Sequence, residues 1–184
     1  SVPQICENLV YITNNSDPEY MDRDILYSIL DKGPKRASAY WFIHIQVTDE
    51  PFTSDYTVES YGTDYVFFVT IRLGFKVPQR VNVYLRQIIS DLVATGALPQ
   101  QVRKYSIYKN ATTGSFRFYH IRKTLAPESD ISHLQKLAVR LKYKIRKMAG
   151  SPDKWYGLEN SNLVIEYVPL FIRSKHFNPF VKTK

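Results

Sequence analysis

A single cysteine, Cys6, among 184 residues rules out an intramolecular disulfide and a thiolate metal cluster, and it suits a reducing compartment. Long apolar runs are missing too. The longest uninterrupted stretches, Ala39 to Ile43 and Val66 to Val69, fall far short of the roughly 20 residues that a bilayer-spanning helix needs. Ser stands first instead of Met, and no charged head, apolar run and small-residue cleavage site opens the chain. No secretory signal is therefore expected, and the sequence reads as a cytosolic piece of something longer. With 7 Gly and 10 Pro it is neither collagen-like nor low-complexity.

Signatures of catalysis are equally scarce. The histidines fall at 44, 120, 133 and 176, never at the i, i+4 spacing of a helical metal site, so no metal is expected. There is no G-x-S-x-G elbow, no G-x-x-x-x-G-K-[ST] loop and no G-x-G-x-x-G after the first strand, and the chain is not expected to be an enzyme. Cys6 has no basic neighbour in sequence to depress its pKa. The acid pairs Asp22 with Asp24 and Asp49 with Glu50 sit at the ends of expected elements, where helix dipoles and turns favour them.

What the sequence does have is apolar bulk and an uneven charge. Apolar residues make up 44% and aromatics 14%, enough for one packed domain over residues 1–184 that buries on the order of 70% of the unfolded surface. Lys and Arg number 25 against 17 Asp and Glu. Residues 1–100 carry 8 basic and 12 acidic side chains, whereas residues 101–184 carry 17 basic and 5 acidic ones. Such a split fits a nucleic-acid face, a phosphate ligand, an anionic membrane surface or a solvated basic face, and sequence does not separate them.

Asn8 to Thr13 reads as a strand, and the following Asn14-Asn15-Ser16-Asp17-Pro18 as a turn and helix start. Ser16 with Glu19 fits a capping box, and Asp17 before Pro18 fits an N-cap with a first-turn proline, which gives a helix from about Pro18 to Leu30. Gly33 and Pro34 stop it. Ala39 to Val47 is apolar on both faces, as an interior strand is, so the first fifty residues form a βαβ unit with two parallel strands. Tyr56 to Tyr61 and Tyr65 to Leu73 form a hairpin. Val81, Leu85, Ile88 and Leu92 mark an amphipathic helix ending near Gly96. Tyr105 to Lys109 and Ser115 to Lys123 read as a second hairpin, and Ile131 to Met148 as a third helix. Leu163 to Val168 is a closing strand, and the tail from 174 to 184 frays. The expected fold is an α/β sandwich: one mixed sheet of about six to eight strands, the first two parallel, with three helices packed on it.

The expected third helix holds six basic residues between Lys136 and Lys147, a density suited to phosphate or headgroup attraction. In Ser115 to Lys123, Arg117, Tyr119 and Lys123 share one face while Phe116, Phe118, His120 and Arg122 share the other, so aromatics lie beside guanidinium groups that stack bases or clamp phosphates. His44 and His120 lie inside expected strands, where a hydrogen-bonded structural imidazole is commoner than a base. The Asn14-Asn15-Ser16 loop precedes a helix N-terminus, but Asp17 and Glu19 occupy that field. The loop therefore favours ribose or base contact over phosphate unless Lys35, Arg36 or Arg122 offsets them. The ligand candidates are Arg36, Arg117 and Arg122, with Tyr11 and Asn15.

Several segments together resemble the C-terminal cytosolic domain of the KUP family of potassium uptake permeases. Val10-Tyr11-Ile12-Thr13 with its Asn-rich turn is similar to that family's strand after the last membrane helix, and His44-Ile45-Gln46-Val47-Thr48-Asp49-Glu50-Pro51 to its second strand and exit. Arg72-Leu73-Gly74-Phe75 with Pro78 and Val81 resembles an R-x-G-F-x-x-x-P-x-x-V stretch. Phe118-Tyr119-His120-Ile121-Arg122-Lys123-Thr124-Leu125 resembles Y-F-x-x-R-E-T-L, with Lys123 where the family usually has Glu.

The resemblance implies a soluble piece of a proton-coupled potassium symporter at the cytoplasmic face of the cell membrane, cut from about twelve preceding membrane helices. In Gram-positive relatives such permeases are regulated by cyclic di-AMP, which implies a dianionic two-fold ligand, a homodimer around it, and the chain's own transmembrane domain as partner. An anionic inner leaflet is a further partner, for the basic helix. Two alternatives remain open on residues alone: a nucleic-acid-binding basic module, which the resemblance disfavours, and a domain of assembly without a ligand.

Overall fold

The computed structural model describes residues 2–103, 106–107, 113–125, 137–138, 141 and 152–170. Its elements in chain order are β1 (Gln4–Thr13), α1 (Arg23–Leu30), β2 (Arg36–Thr48), β3 (Ser54–Glu59), β4 (Val66–Gly74), α2 (Val81–Ala94), β5 (Phe116–Leu125), a single helical turn α3 (Pro152–Trp155) and β6 (Leu163–Leu170). The strands form one mixed sheet in the order β3-β4-β2-β1-β5-β6. β1 pairs in parallel with β2 on one side, Val10 opposite Trp41, and with β5 on the other, Val10 opposite Phe118. β2 with β4 and β5 with β6 are also parallel, and β3 alone runs antiparallel, against β4.

The near-continuous apolar runs of β1, β2 and β4 follow from this placement, because a central parallel strand is covered on both faces. On one face Val10, Ile12, Trp41, Ile43, Phe67, Val69 and Phe118 pack against Val81, Leu85, Ile88 and Ile89 of α2 and against Leu98 and Leu158. On the other face Leu9, Tyr11, Phe42, Phe68 and Tyr119 pack against Ile25 of α1. Trp41 stacks on Phe67 at 4.5 Å between centroids on the first face, and Tyr11 on Tyr119 at 5.3 Å on the second.

Three expectations change. The first helix starts at Arg23 rather than near Pro18. Asp17 is spent on a turn, its carboxylate accepting the Glu19 amide at 2.9 Å and its carbonyl the Tyr20 amide at 3.2 Å. The helix opens instead at Asp22, whose carbonyl accepts the Ile25 and Leu26 amides. The Asp22 carboxylate bonds Thr13 Oγ1 at 2.7 Å and leaves the helix end uncapped.

β5 is paired with β1 and β6, where a second hairpin with Tyr105–Lys109 was expected, a segment outside the described residues save 106 and 107. Its partners come from distant parts of the chain, where the hairpin reading assumed local pairing.

Among the described residues two helices, α1 and α2, cover opposite faces of the sheet, where three were expected. The expected helix over 130–148 lies outside the described residues except at 137, 138 and 141, as do the Tyr105–Lys109 strand, save 106 and 107, and the 174–184 tail. Among the described residues no helix is long and apolar enough to cross a membrane.

Candidate functional site

The five candidate ligand residues do not converge. Tyr11 is fully buried. Its hydroxyl shares a 2.8 Å hydrogen bond with Ser28 Oγ, its ring packs on Phe42 and Tyr119, and burial pushes its pKa up. It is core, unavailable to a ligand. Asn15 is folded onto its own loop: Nδ2 donates to the carbonyls of Asp17 and Tyr20, and Oδ1 accepts the Asp17 amide at 3.1 Å. Arg122 is half-buried, on the β5 face opposite to that of Arg117 and Tyr119. Arg36 stands exposed at the start of β2, opposite Gln4. Arg117 lies in β5 opposite Leu9, its Nε buried without a hydrogen-bond partner. The Tyr119 hydroxyl nearby has its pKa raised chiefly by burial, against the opposing pull of Arg117.

Two clefts flank the sheet ends. At the C-terminal ends of β1 and β2, a crevice of about 320 Å³ is lined by Thr13, Asn14, His44, Gln79, Trp155 and Tyr156. Open α/β sheets commonly take ligands at this end, near the strand where the order reverses, which here is β1. Among the described residues no Lys or Arg lines the crevice. His44 Nδ1 is buried there without a hydrogen bond, unlike the bonded imidazole expected from sequence.

The other cleft lies at the N-terminal ends, a groove of about 1050 Å³ whose lining includes Arg36, Tyr40, Tyr65, Gln4, Gln101 and Ser115. Its floor is stiff. Gln4 Nε2 donates to Ser38 Oγ at 2.8 Å and the Tyr40 hydroxyl to the Lys35 carbonyl at 3.0 Å. Beneath it, Asn8 and Gln101 pair through two reciprocal amide bonds of 2.7 Å, Trp41 Nε1 donates to Asn8 Oδ1 at 3.0 Å, and the Gly114 amide donates to Gln101 Oε1 at 2.8 Å.

Cys6 also lines this groove, its thiol pushed up to about 11 by burial against the opposing pull of Arg117. Glu7 and Asp64 line it as well, but Glu7 is engaged, accepting the Ser115 amide at 2.8 Å and the Ser115 hydroxyl. The groove therefore combines one exposed guanidinium and two phenol rings with a floor of hydrogen-bonded amide and hydroxyl groups. Sequence reasoning found Arg36 but missed Tyr40, Tyr65 and Gln101, which only the sheet order brings beside it.

The fold is thus that of an open, mixed-sheet α/β domain with clefts at both strand ends and a buried polar floor under one of them. The chain belongs to the family described as the K+ potassium transporter C-terminal domain, whose model matches residues 7–168.

Among its relatives are proteins named probable potassium transport system protein Kup. That of Clostridium perfringens strain SM101 is 45% identical over 172 residues, 94% of this chain and 26% of the relative. That of Enterococcus faecalis is 42% identical over 184 residues, 100% of this chain and 28% of the relative. Kup 1 of Bifidobacterium longum is 45% identical over 175 residues, 95% of this chain and 29% of the relative. The chain spans about a quarter of the length of these relatives. No solved structure matches it.

Proposed function

We propose that this chain is the cytosolic regulatory domain of a proton-coupled potassium uptake transporter, held at the cytoplasmic face of the cell membrane by its own transmembrane part. It takes cyclic di-AMP as a signal that lowers potassium import. Membership of the transporter family supports the first half of this reading. The observation that carries the second is the groove at the N-terminal ends of β1 and β2, where Arg36 stands exposed beside Tyr40 and Tyr65. A guanidinium pairs with a phosphate diester and a phenol face stacks on a purine. The volume of about 1050 Å³ lies at the upper end of ordinary ligand clefts.

The mechanism is a population shift: a ligand that binds one arrangement of the domains better than the other biases the attached transport helices by that difference in affinity. The domain acts as a homodimer, and the anionic inner leaflet attracts the basic residues between Lys136 and Lys147 by charge. Potassium uptake by the full-length transporter in vesicles, with and without cyclic di-AMP inside, tests the reading. Uptake that falls for the intact protein and stays constant once this domain is removed supports it. An identical response of both forms contradicts it.

A further inference from the structure

β3 is the outermost strand of the sheet, and among the described residues nothing pairs with its far side. The ladder to β4 fixes which backbone groups face outward. The Gly74 amide donates to the Thr53 carbonyl at 2.7 Å, and the register runs Ser54 opposite Leu73, Asp55 opposite Arg72 and Tyr56 opposite Ile71. In an antiparallel pair, hydrogen-bonded and non-hydrogen-bonded positions alternate. Thr53, Asp55, Thr57 and Glu59 therefore bond to β4, whereas Ser54, Tyr56 and Val58 turn their N–H and C=O groups to the open edge.

Natural sheets blunt such edges with charged side chains, above all Lys, with Pro, with bulges or by keeping the strand short. Residues 54–59 read SDYTVE and contain neither Lys nor Pro, and their register is unbroken. The charge of Asp55 is met within the chain by Arg72, Nε at 2.6 Å and Nη2 at 2.9 Å. Tyr56 is held upright by a 2.7 Å bond from its hydroxyl to Asp91 Oδ2.

We propose that the open edge of β3 is the surface on which a second copy of this chain docks, by antiparallel β3–β3 pairing about a two-fold axis through Tyr56. Two-fold closure requires outward-facing residues to meet outward-facing residues, which leaves few registers. Centring on Asp55 sets Asp55 opposite the second copy's Asp55. Centring on Thr57 sets Asp55 opposite the second copy's Glu59. Like charges directly opposite one another destabilise a ladder. Centring on Tyr56 sets Tyr56 opposite Tyr56, Ser54 opposite Val58 and Asp55 opposite Thr57, with no like charges facing. Of the registers centred on residues 55–57, which pair the most of the strand, that on Tyr56 alone faces no like charges, and the product is a continuous sheet through both copies. This names the surface for the dimer in the functional reading, and it stands apart from the ligand, since no groove residue takes part.

The test is made on the 184-residue chain without nucleotide. Tyr56→Cys places two thiols across the axis with Cα atoms about 5.5 Å apart, within disulfide reach. Under mild oxidation it is expected to form a covalent dimer, while exposed Ser90→Cys on α2 does not. Thr57→Asp, at an exposed position, sets two like-charge pairs across the interface and is expected to weaken association about tenfold by sedimentation equilibrium. Cross-linking of Tyr56→Cys no faster than Ser90→Cys overturns the proposal. So does a wild-type chain that stays monomeric up to about 1 mM, the range in which a small interface associates, and so does a Thr57→Asp variant that associates unchanged. Each result leaves the nucleotide reading untouched, which a separate binding measurement decides.

Discussion

Lys35 and Glu166, from the α1–β2 turn and the edge strand β6, form a 3.2 Å ion pair with side chains only 8% and 12% exposed. The pair belongs to a network. Glu166 accepts from Ser28 Oγ, which also bonds the Tyr11 hydroxyl, and Lys35 donates to the Ser28 carbonyl and lies 5.3 Å over the Tyr119 ring. The edge of the sheet is thereby tied to α1 by polar contacts where the rest of that face uses apolar ones.

Removing one partner of a buried pair leaves the other charge uncompensated, whereas replacing both by apolar groups is often tolerated. Glu166→Gln is expected to cost about 3 kcal/mol in urea unfolding, and the double variant Lys35→Met with Glu166→Leu considerably less. A single variant as stable as wild type counts against the network as described.

The amide cluster beneath the N-terminal groove makes a second prediction. Asn8 is fully buried and serves Gln101 and Trp41 at once. Asn8→Leu keeps the branched skeleton but strands the Trp41 indole N–H and the Gln101 amide, each costing about 1–3 kcal/mol. The midpoint of thermal unfolding should fall accordingly, and fluorescence of the buried Trp41 should report the loosened site. An unchanged midpoint refutes the assignment.

Gly74, the glycine of the Arg72-Leu73-Gly74-Phe75 motif, is fixed by contact. A Cβ there would lie 2.3 Å from the Glu50 carbonyl oxygen and 2.4 Å from the Pro51 carbonyl carbon. Backbone on both sides leaves no flexible group to yield, so Gly74→Ala is expected to destabilise by about 2 kcal/mol or more. Gly33 meets nothing within 4 Å, and Gly33→Ala should stay within about 0.5 kcal/mol of wild type. Chemical denaturation of the two variants side by side distinguishes tight approach from a general intolerance of change.

The Cys6 thiol, pushed up from 9.0 to about 11 by burial, sets a pH dependence. The folded-state pKa lies above the unfolded one, so between them the unfolded chain has released a proton that the native chain keeps. Stability is then lost as pH rises from 9 to 11. Cys6→Ser should flatten the alkaline limb of the stability profile in that window. At pH 8 the native thiol should react with an alkylating reagent far more slowly than in the urea-unfolded chain, because the thiolate is the nucleophile. Equal rates contradict its burial.

The sequence showed most clearly those elements that local chemistry determines. The hairpin of β3 and β4 closes through Tyr61 and Gly62, both at positive φ, and the Gly after an alternating run was signal enough. The stripe Val81, Leu85 and Ile88 of α2 is buried against the sheet as its spacing required.

What depended on long-range pairing was hidden. That β5 inserts between β1 and β6 follows from apolar complementarity with strands far away in sequence, and no turn signal announces it. The candidate residues are scattered for the same reason. Tyr11 and Arg117 were both visible as residue types, but Tyr11 lies in a central strand and is covered on its face by Phe42, Tyr119 and Ser28. Arg36 alone reached an open groove, beside Tyr40 and Tyr65, which were not singled out.

Isothermal titration calorimetry of the 184-residue chain with cyclic di-AMP, with cyclic di-GMP and ATP as controls for base and charge, tests the functional reading most directly. Micromolar or tighter binding of the adenine dinucleotide alone is expected, with Arg36→Ala weakening it at least tenfold and leaving the unfolding midpoint unchanged. Absence of heat with cyclic di-AMP, or equal affinity for all three nucleotides, would contradict it.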